Sequence, residues 1–177
     1  KYKPMPRYER GFVAPSGSDG ATSSLRNVGR SGKVGTMFMQ PLVESPDGGR
    51  QLLDETLGAW FCVLGVGIDP AEWMSEDSKR WWQDLGARFL HVAPPKGRIR
   101  ASDLSQTVVV EDVDGAFRDL HLEAPQEELI VLRPDRYVAA VCDRHHIDAT
   151  TDALRELIRE SDPSVGDRSP WQEIRHG

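Results

Sequence analysis

The order of apolar runs from residue 59 onward constrains this chain more than any other feature. "AWFCVLGVG" (59–67) is continuously apolar and bounded by glycine, the texture of a strand buried on both faces. Helix signals follow at once in "DPAEWMSEDSKRWWQDLG" (69–86), where Asp69 can cap, Pro70 suits the first turn and Gly86 can close the end. "ARFLHVAPP" (87–95) is then a second strand, stopped by a proline pair, and residues 96–106 are polar and loop-like. Strand, helix and strand in this succession make a parallel β-α-β unit.

"TVVVEDVDG" (107–115) adds a short β-branched run, and "GAFRDLHLEA" (115–124) can form a short helix. "ELIVLRP" and "YVAAVCD" are the two arms of a hairpin whose turn holds Pro134 and Asp135. "DATTDALRELIRES" (148–161) is an amphipathic helix with Leu154, Leu157 and Ile158 on its apolar side. A parallel β-α-β half followed by an antiparallel β-β-α half is the thioredoxin-like order. The expected fold class is therefore α/β, a thioredoxin-like β-α-β-α-β-β-α mixed sheet covered on both faces.

"RQLLDETLG" (50–58) precedes this block as a short helix ending at Gly58. Ahead of it, "PSGSDGATSS" and "ESPDGGR" give residues 1–50 a composition that cannot bury enough surface to fold alone. These residues read as an extended arm or linker, in which "VGTMFMQPLV" (34–43) lies as a strand against a partner surface. The organisation expected is an arm over 1–50, a folded block over 51–161 and a tail over 162–177. The chain opens on Lys1 rather than Met, which reads as a fragment of a longer polypeptide.

A net charge of −6, with no basic block, argues against nucleic-acid and anionic-membrane partners. No run of 18 apolar residues exists, and the first residues are not a charged-then-apolar leader. The two cysteines, Cys62 and Cys142, do not make a disulfide framework, so a reducing, cytoplasmic setting is the simpler reading.

A working thioredoxin needs Cys-x-x-Cys at the start of its first helix, where the helix dipole lowers one thiol's pKa. This chain has "GIDPAEW" there; Cys62 falls inside the first strand and reads as a small core residue. "CDRHHID" gathers Cys142, Asp143, His145, His146 and Asp148, but adjacent histidines point apart and structural zinc draws ligands from two separated spans. A solvated strand-to-helix loop is the better reading, and no metal ligand is assigned. Asp54, Glu55, "EDVD" (111–114) and "EAPQEE" (123–128) read as solvated charge, so no catalytic acid or base is assigned either. "NVGRSGKVG" (27–35) and "PDGGR" (46–50) resemble phosphate loops by composition alone. Trp81 and Trp82 project about 100° apart on a helix. One of Trp73, Trp81 and Trp82 is therefore expected to meet another domain, a subunit or the arm.

Three segments together carry a resemblance: "GTMFMQPLV", "GRQLLDETLGAWFCVLG" and "ELIVLRPDRYVAAV". They resemble the C-terminal region of the class A FAD-dependent aromatic hydroxylases, of the 3-(3-hydroxyphenyl)propionate hydroxylase, polyketide hydroxylase and phenol hydroxylase type. In that family a G-x-x-x-x-Q segment leads to an LLD…G…F-x-L helix and strand, and an L-x-RPD-x-YVA hairpin follows. The matches here are Gly35 to Gln40, then Leu52, Leu53, Asp54, Gly58, Phe61 and Leu64, then Arg133, Pro134, Asp135, Tyr137, Val138 and Ala139. Gln40, Asp54, Gly58, Arg133, Pro134, Asp135 and Tyr137 are the family-motif positions expected to matter structurally, with Asp54 and the Arg133–Asp135 turn as interdomain or turn-fixing contacts.

The resemblance implies a thioredoxin-like domain that has lost its redox cysteines, within an enzyme that uses FAD and NADH or NADPH to insert one oxygen atom into a phenolic ring. The family's G-x-G-x-x-G fingerprint, its DG motif and its GD-A-H segment are absent from these residues. No cofactor is therefore expected on this fragment, only on the parent. Its expected partners are the upstream flavin and substrate domain of the same polypeptide and a second copy, through dimerisation or domain packing. The rival expectation is a stand-alone binding or dimerisation module with no attached enzyme; a thiol enzyme using Cys62 is a second.

Overall fold

The computed structural model describes residues 34–95, 106–120 and 128–161. Its strands are β1 (Leu42–Glu44), β2 (Arg50–Leu52), β3 (Cys62–Val66), β4 (Arg88–Ala93), β5 (Thr107–Asp112), β6 (Glu128–Leu132) and β7 (Val138–Asp143). Its α-helices are α1 (Leu53–Leu57), α2 (Glu76–Asp84) and α3 (Ile147–Ser161), with 3₁₀ turns at Pro70–Trp73, Ala116–Leu120 and Arg144–His146.

The strands form one sheet in the order β2-β1-β5-β4-β3-β6-β7. β3 runs parallel to β4 and antiparallel to β6, and β6 pairs antiparallel with β7. That four-strand centre, parallel on one side and antiparallel on the other, is the thioredoxin-like arrangement. β5 extends it in parallel beside β4, and the β1–β2 hairpin closes that edge antiparallel to β5.

Alternation along the strands splits the core into two layers. Leu64, Leu90, Val110, Ile130 and Val141 face one side, where Phe38, Leu53, Leu57 and Phe117 cover them. Val63, Phe89, Leu129, Val131 and Cys142 face the other, beneath Trp82, Leu85, Ile147 and Leu154. Covering both faces explains why "CVLGV" and the "LIVL" of β6 read as unbroken apolar runs rather than alternating ones.

Three local expectations need correction. The continuous helix over 69–86 is a 3₁₀ turn and then α2, because Ser75 starts a new cap: its hydroxyl accepts from Ser78 N–H at 3.2 Å. Residues 50–52 form β2 rather than the start of a helix, since "SPDGG" closes a hairpin in which Ser45 N–H donates to Gly49 C=O at 2.9 Å. Residues 34–50, expected within the extended arm, belong to the folded block: Phe38 is buried with its ring 6.3 Å from that of Phe117, and Val43 is fully enclosed. Residues 1–33 of the arm, the C-terminal part of the 115–124 helix and the tail over 162–177 lie outside the described residues.

Candidate functional site

Polar side chains gather at two ends of the sheet. At the first, the chain leaves β3 and folds back over the strand it has just completed. Gly65 permits this, because a Cβ there would lie 2.4 Å from the Ile68 carbonyl oxygen. The loop that follows, Gly67 to Trp73, occupies the place where a thioredoxin carries its dithiol, and this one is built around Asp69. Its side chain is 4% exposed, and Oδ1 accepts from Ala71 N–H at 2.9 Å and from the Thr107 hydroxyl at 2.8 Å. Asp69 therefore caps the Pro70–Trp73 turn and ties it to β5. His91 on β4 is half-buried below; burial lowers its pKa, and the carboxylates of Asp69 and Glu72 oppose that shift.

Neither cysteine reaches this loop. Cys62 lies inside β3 and Cys142 inside β7, both buried, and burial pushes each thiol up to about 12. Thiolate is the reactive form, so a thiol in such surroundings has little nucleophilic character at neutral pH. His145 and His146 stand exposed on the turn that follows β7, while Cys142 points into the core beneath α3. Among the described residues no group of three or more His, Cys, Asp or Glu side chains could hold a metal ion.

The tryptophans brace this end from within the chain. Trp82 is fully buried, with its indole N–H donating to Thr151 Oγ1 at 2.9 Å. Trp81 stacks edge-on against Trp82 with centroids 4.7 Å apart and lies under Arg155. Trp73 sits between Arg144, 4.1 Å above its ring, and the edge of His145 at 4.9 Å. All three therefore find partners on α3 or the turn before it. Asp148 completes the junction by accepting from Ser75 N–H and Ser75 Oγ, both at 3.0 Å. Burial raises its carboxyl, but the bonds from Ser78 and Ser75 outweigh that and leave its pKa lowered.

At the opposite end lie the residues that carry the family resemblance. Arg133 pairs with Asp135 Oδ2 at 2.7 Å across the hairpin turn, and Asp135 Oδ1 accepts from Tyr137 N–H at 3.3 Å. Pro134 occupies the turn, and Arg136 N–H donates back to Arg133 C=O at 3.0 Å. Gln40 Oε1 accepts from Asp54 N–H at 3.0 Å, the first-turn amide of α1. Gly58 ends α1 with φ +78°, and a Cβ there would meet Arg88 Nε at 3.1 Å. Arg88 itself donates to the Thr56 carbonyl at 2.7 Å. Six of the seven expected motif residues thus cluster around α1 and the hairpin turn, with Gly58 at the far end of α1. Sequence reasoning missed Arg136, whose guanidinium pairs with Asp54. It occupies the variable position of the hairpin motif, and its partner lies 82 residues away.

Residues 35–157 match the HcaD C-terminal domain family. The chain belongs to that family. This HcaD C-terminal domain is 38% identical over 159 residues to the 3-(3-hydroxy-phenyl)propionate/3-hydroxycinnamic acid hydroxylase 2 of Burkholderia vietnamiensis, covering 88% of this chain and 27% of that protein. The corresponding hydroxylase of Mycobacterium avium is 36% identical over 175 residues, covering 94% of the chain and 28% of its relative. The chain therefore spans little more than a quarter of the length of the curated relatives it matches. Among solved structures, the flavin-dependent monooxygenase PieE, crystallised with FAD and substrate, superimposes with a TM-score of 0.56 at 18% identity. That match covers 88% of this chain and 25% of PieE, and it supports the fold alone. Among the described residues of the HcaD C-terminal domain, no helix is long and apolar enough to cross a membrane.

Proposed function

We propose that this chain is the C-terminal domain of an FAD-dependent aromatic hydroxylase that uses NADH or NADPH and acts on a phenolic acid, and that the domain itself performs no redox chemistry. Its role is structural: it packs on the upstream flavin and substrate domain and contributes to a homo-oligomer in a reducing, cytoplasmic setting. The family match over residues 35–157, together with the similarity to relatives a little more than three times as long that are named hydroxylases of hydroxyphenylpropionate, carries this reading. The loop at the thioredoxin dithiol position supports it, since its polar centre is a carboxylate tied to Ala71 and Thr107 rather than a thiol.

Purification of this chain alone, beside the longest polypeptide that its own reading frame encodes, tests the proposal. The isolated chain is expected to be colourless and to leave NADH and NADPH unoxidised. The longer polypeptide is expected to be yellow and to consume reduced nicotinamide when given 3-(3-hydroxyphenyl)propionate. Flavin bound to the isolated chain would overturn the placement of the cofactor. A reading frame with no flavin-binding part would favour the stand-alone module.

A further inference from the structure

Residues 35–41 form a strap that crosses from the hairpin to α1. At one end Gly35 N–H donates to Val138 C=O at 2.8 Å, Val138 N–H to Thr36 C=O at 2.9 Å and Phe38 N–H to Arg136 C=O at 2.8 Å. At the other end Leu53 N–H donates to Pro41 C=O at 2.9 Å, and Gln40 receives Asp54 N–H at 3.0 Å. The second contact answers a local deficiency, because Leu52, the residue at the cap position of α1, offers no side-chain acceptor. The strap thus supplies the cap that the sequence next to α1 lacks.

Arg136 closes the circuit. Its guanidinium pairs with the carboxylate of Asp54 on α1, while its carbonyl holds Phe38 of the strap. It is also the one non-glycine residue with positive φ among the described residues, at +67°. Glycine would adopt that backbone with less strain, so an arginine held there is an outlier that calls for a use of its side chain. Hairpin, α1 and strap each hold the other two, with Arg136 bonded to both.

We propose that Arg136, through its pair with Asp54, fastens residues 35–41 to the domain, and that this strap opens as a unit when the pair is broken. On the reading above, the strap is also the last stretch before the domain's own sheet.

Amide hydrogen exchange on the full chain tests the strap independently of any attached enzyme, so failure of the hydroxylase reading leaves the outcome interpretable. Arg136→Gly relieves the left-handed backbone and removes the guanidinium; Asp54→Asn keeps the backbone and removes the charge. In both variants the amides of Gly35, Phe38, Asp54 and Val138 are expected to exchange about threefold faster, while those of β3 and β4 keep their protection. Arg136→Gly is expected to melt no lower than the parent chain, and Arg136→Lys to give intermediate exchange. Unchanged protection in both variants would show that the main-chain bonds and Phe38 suffice without Arg136. Equal acceleration through the whole sheet would show that the strap is not a separate unit. Either result overturns the proposal, and Asp54→Asn alone decides it should Arg136→Gly fail to fold.

Discussion

The two ends of this sheet are held together in different ways. At the Gly67–Trp73 end, a loop that on a thioredoxin would present a dithiol is turned inward, sealed by Asp69 and roofed by tryptophans against α3. At the hairpin-turn end, the expected motif residues Gln40, Asp54, Arg133 and Asp135 gather with Arg136 into a partly exposed polar knot. The scaffold has kept its shape at the end where thioredoxin chemistry occurs. The motif positions expected from the resemblance lie at the other end. The contrast also separates two kinds of energetics, buried interactions at the loop end and solvent-screened ones at the turn.

Substitutions should grade accordingly. Trp82→Ala removes a fully buried ring and leaves the Thr151 hydroxyl without its indole donor, and is expected to cost about 3–5 kcal/mol in urea unfolding. Asp69→Ala frees the Thr107 hydroxyl and the Ala71 amide, with an expected cost of about 1–3 kcal/mol by the same measurement. Asp135→Ala, which breaks a pair whose carboxylate side chain is 42% exposed, is expected to cost less than about 1 kcal/mol. Were Asp135→Ala to cost more than Asp69→Ala, the contrast between the two ends would be wrong.

The smallest effect expected is on pH. The folded state holds the His91 pKa below its ordinary 6.5, chiefly through burial, so the unfolded chain takes up that proton first as pH falls. The stability gained by keeping the imidazole neutral is complete above about 6.5 and is lost as pH drops through that value toward the lowered one. Because His91 is only half-buried, the loss is expected to be small, and His91→Gln should flatten the profile between pH 7 and 5.

The sequence made the central sheet legible because its strands are buried on both faces and its turns carry Gly, Pro and Asp in their usual places. It was less informative where one local signal competed with another. "RQLLDETLG" has helix formers throughout, yet Arg50–Leu52 become β2 because the turn at 45–49 brings them beside β1. The 69–86 stretch has helical spacing, yet Ser75 is claimed by Asp148 of α3, and the helix restarts there. One of Trp73, Trp81 and Trp82 is expected to meet a surface outside the block, and no local pattern signals that Arg144, His145, Thr151 and Arg155 hold all three from later in the chain. The motif positions could be picked out one by one. Their assembly around Arg136 rests on contacts across 82 residues, which no local pattern encodes.

Thiol titration of the folded chain tests the central claim most directly. With Cys62 and Cys142 both buried and their thiols pushed up to about 12, neither is expected to react with an aromatic disulfide reagent at neutral pH, and both should react once the chain is unfolded in denaturant. Rapid reaction of either cysteine in the native protein would mean that this scaffold still exposes a working thiol, and the assignment of a purely structural role would fail.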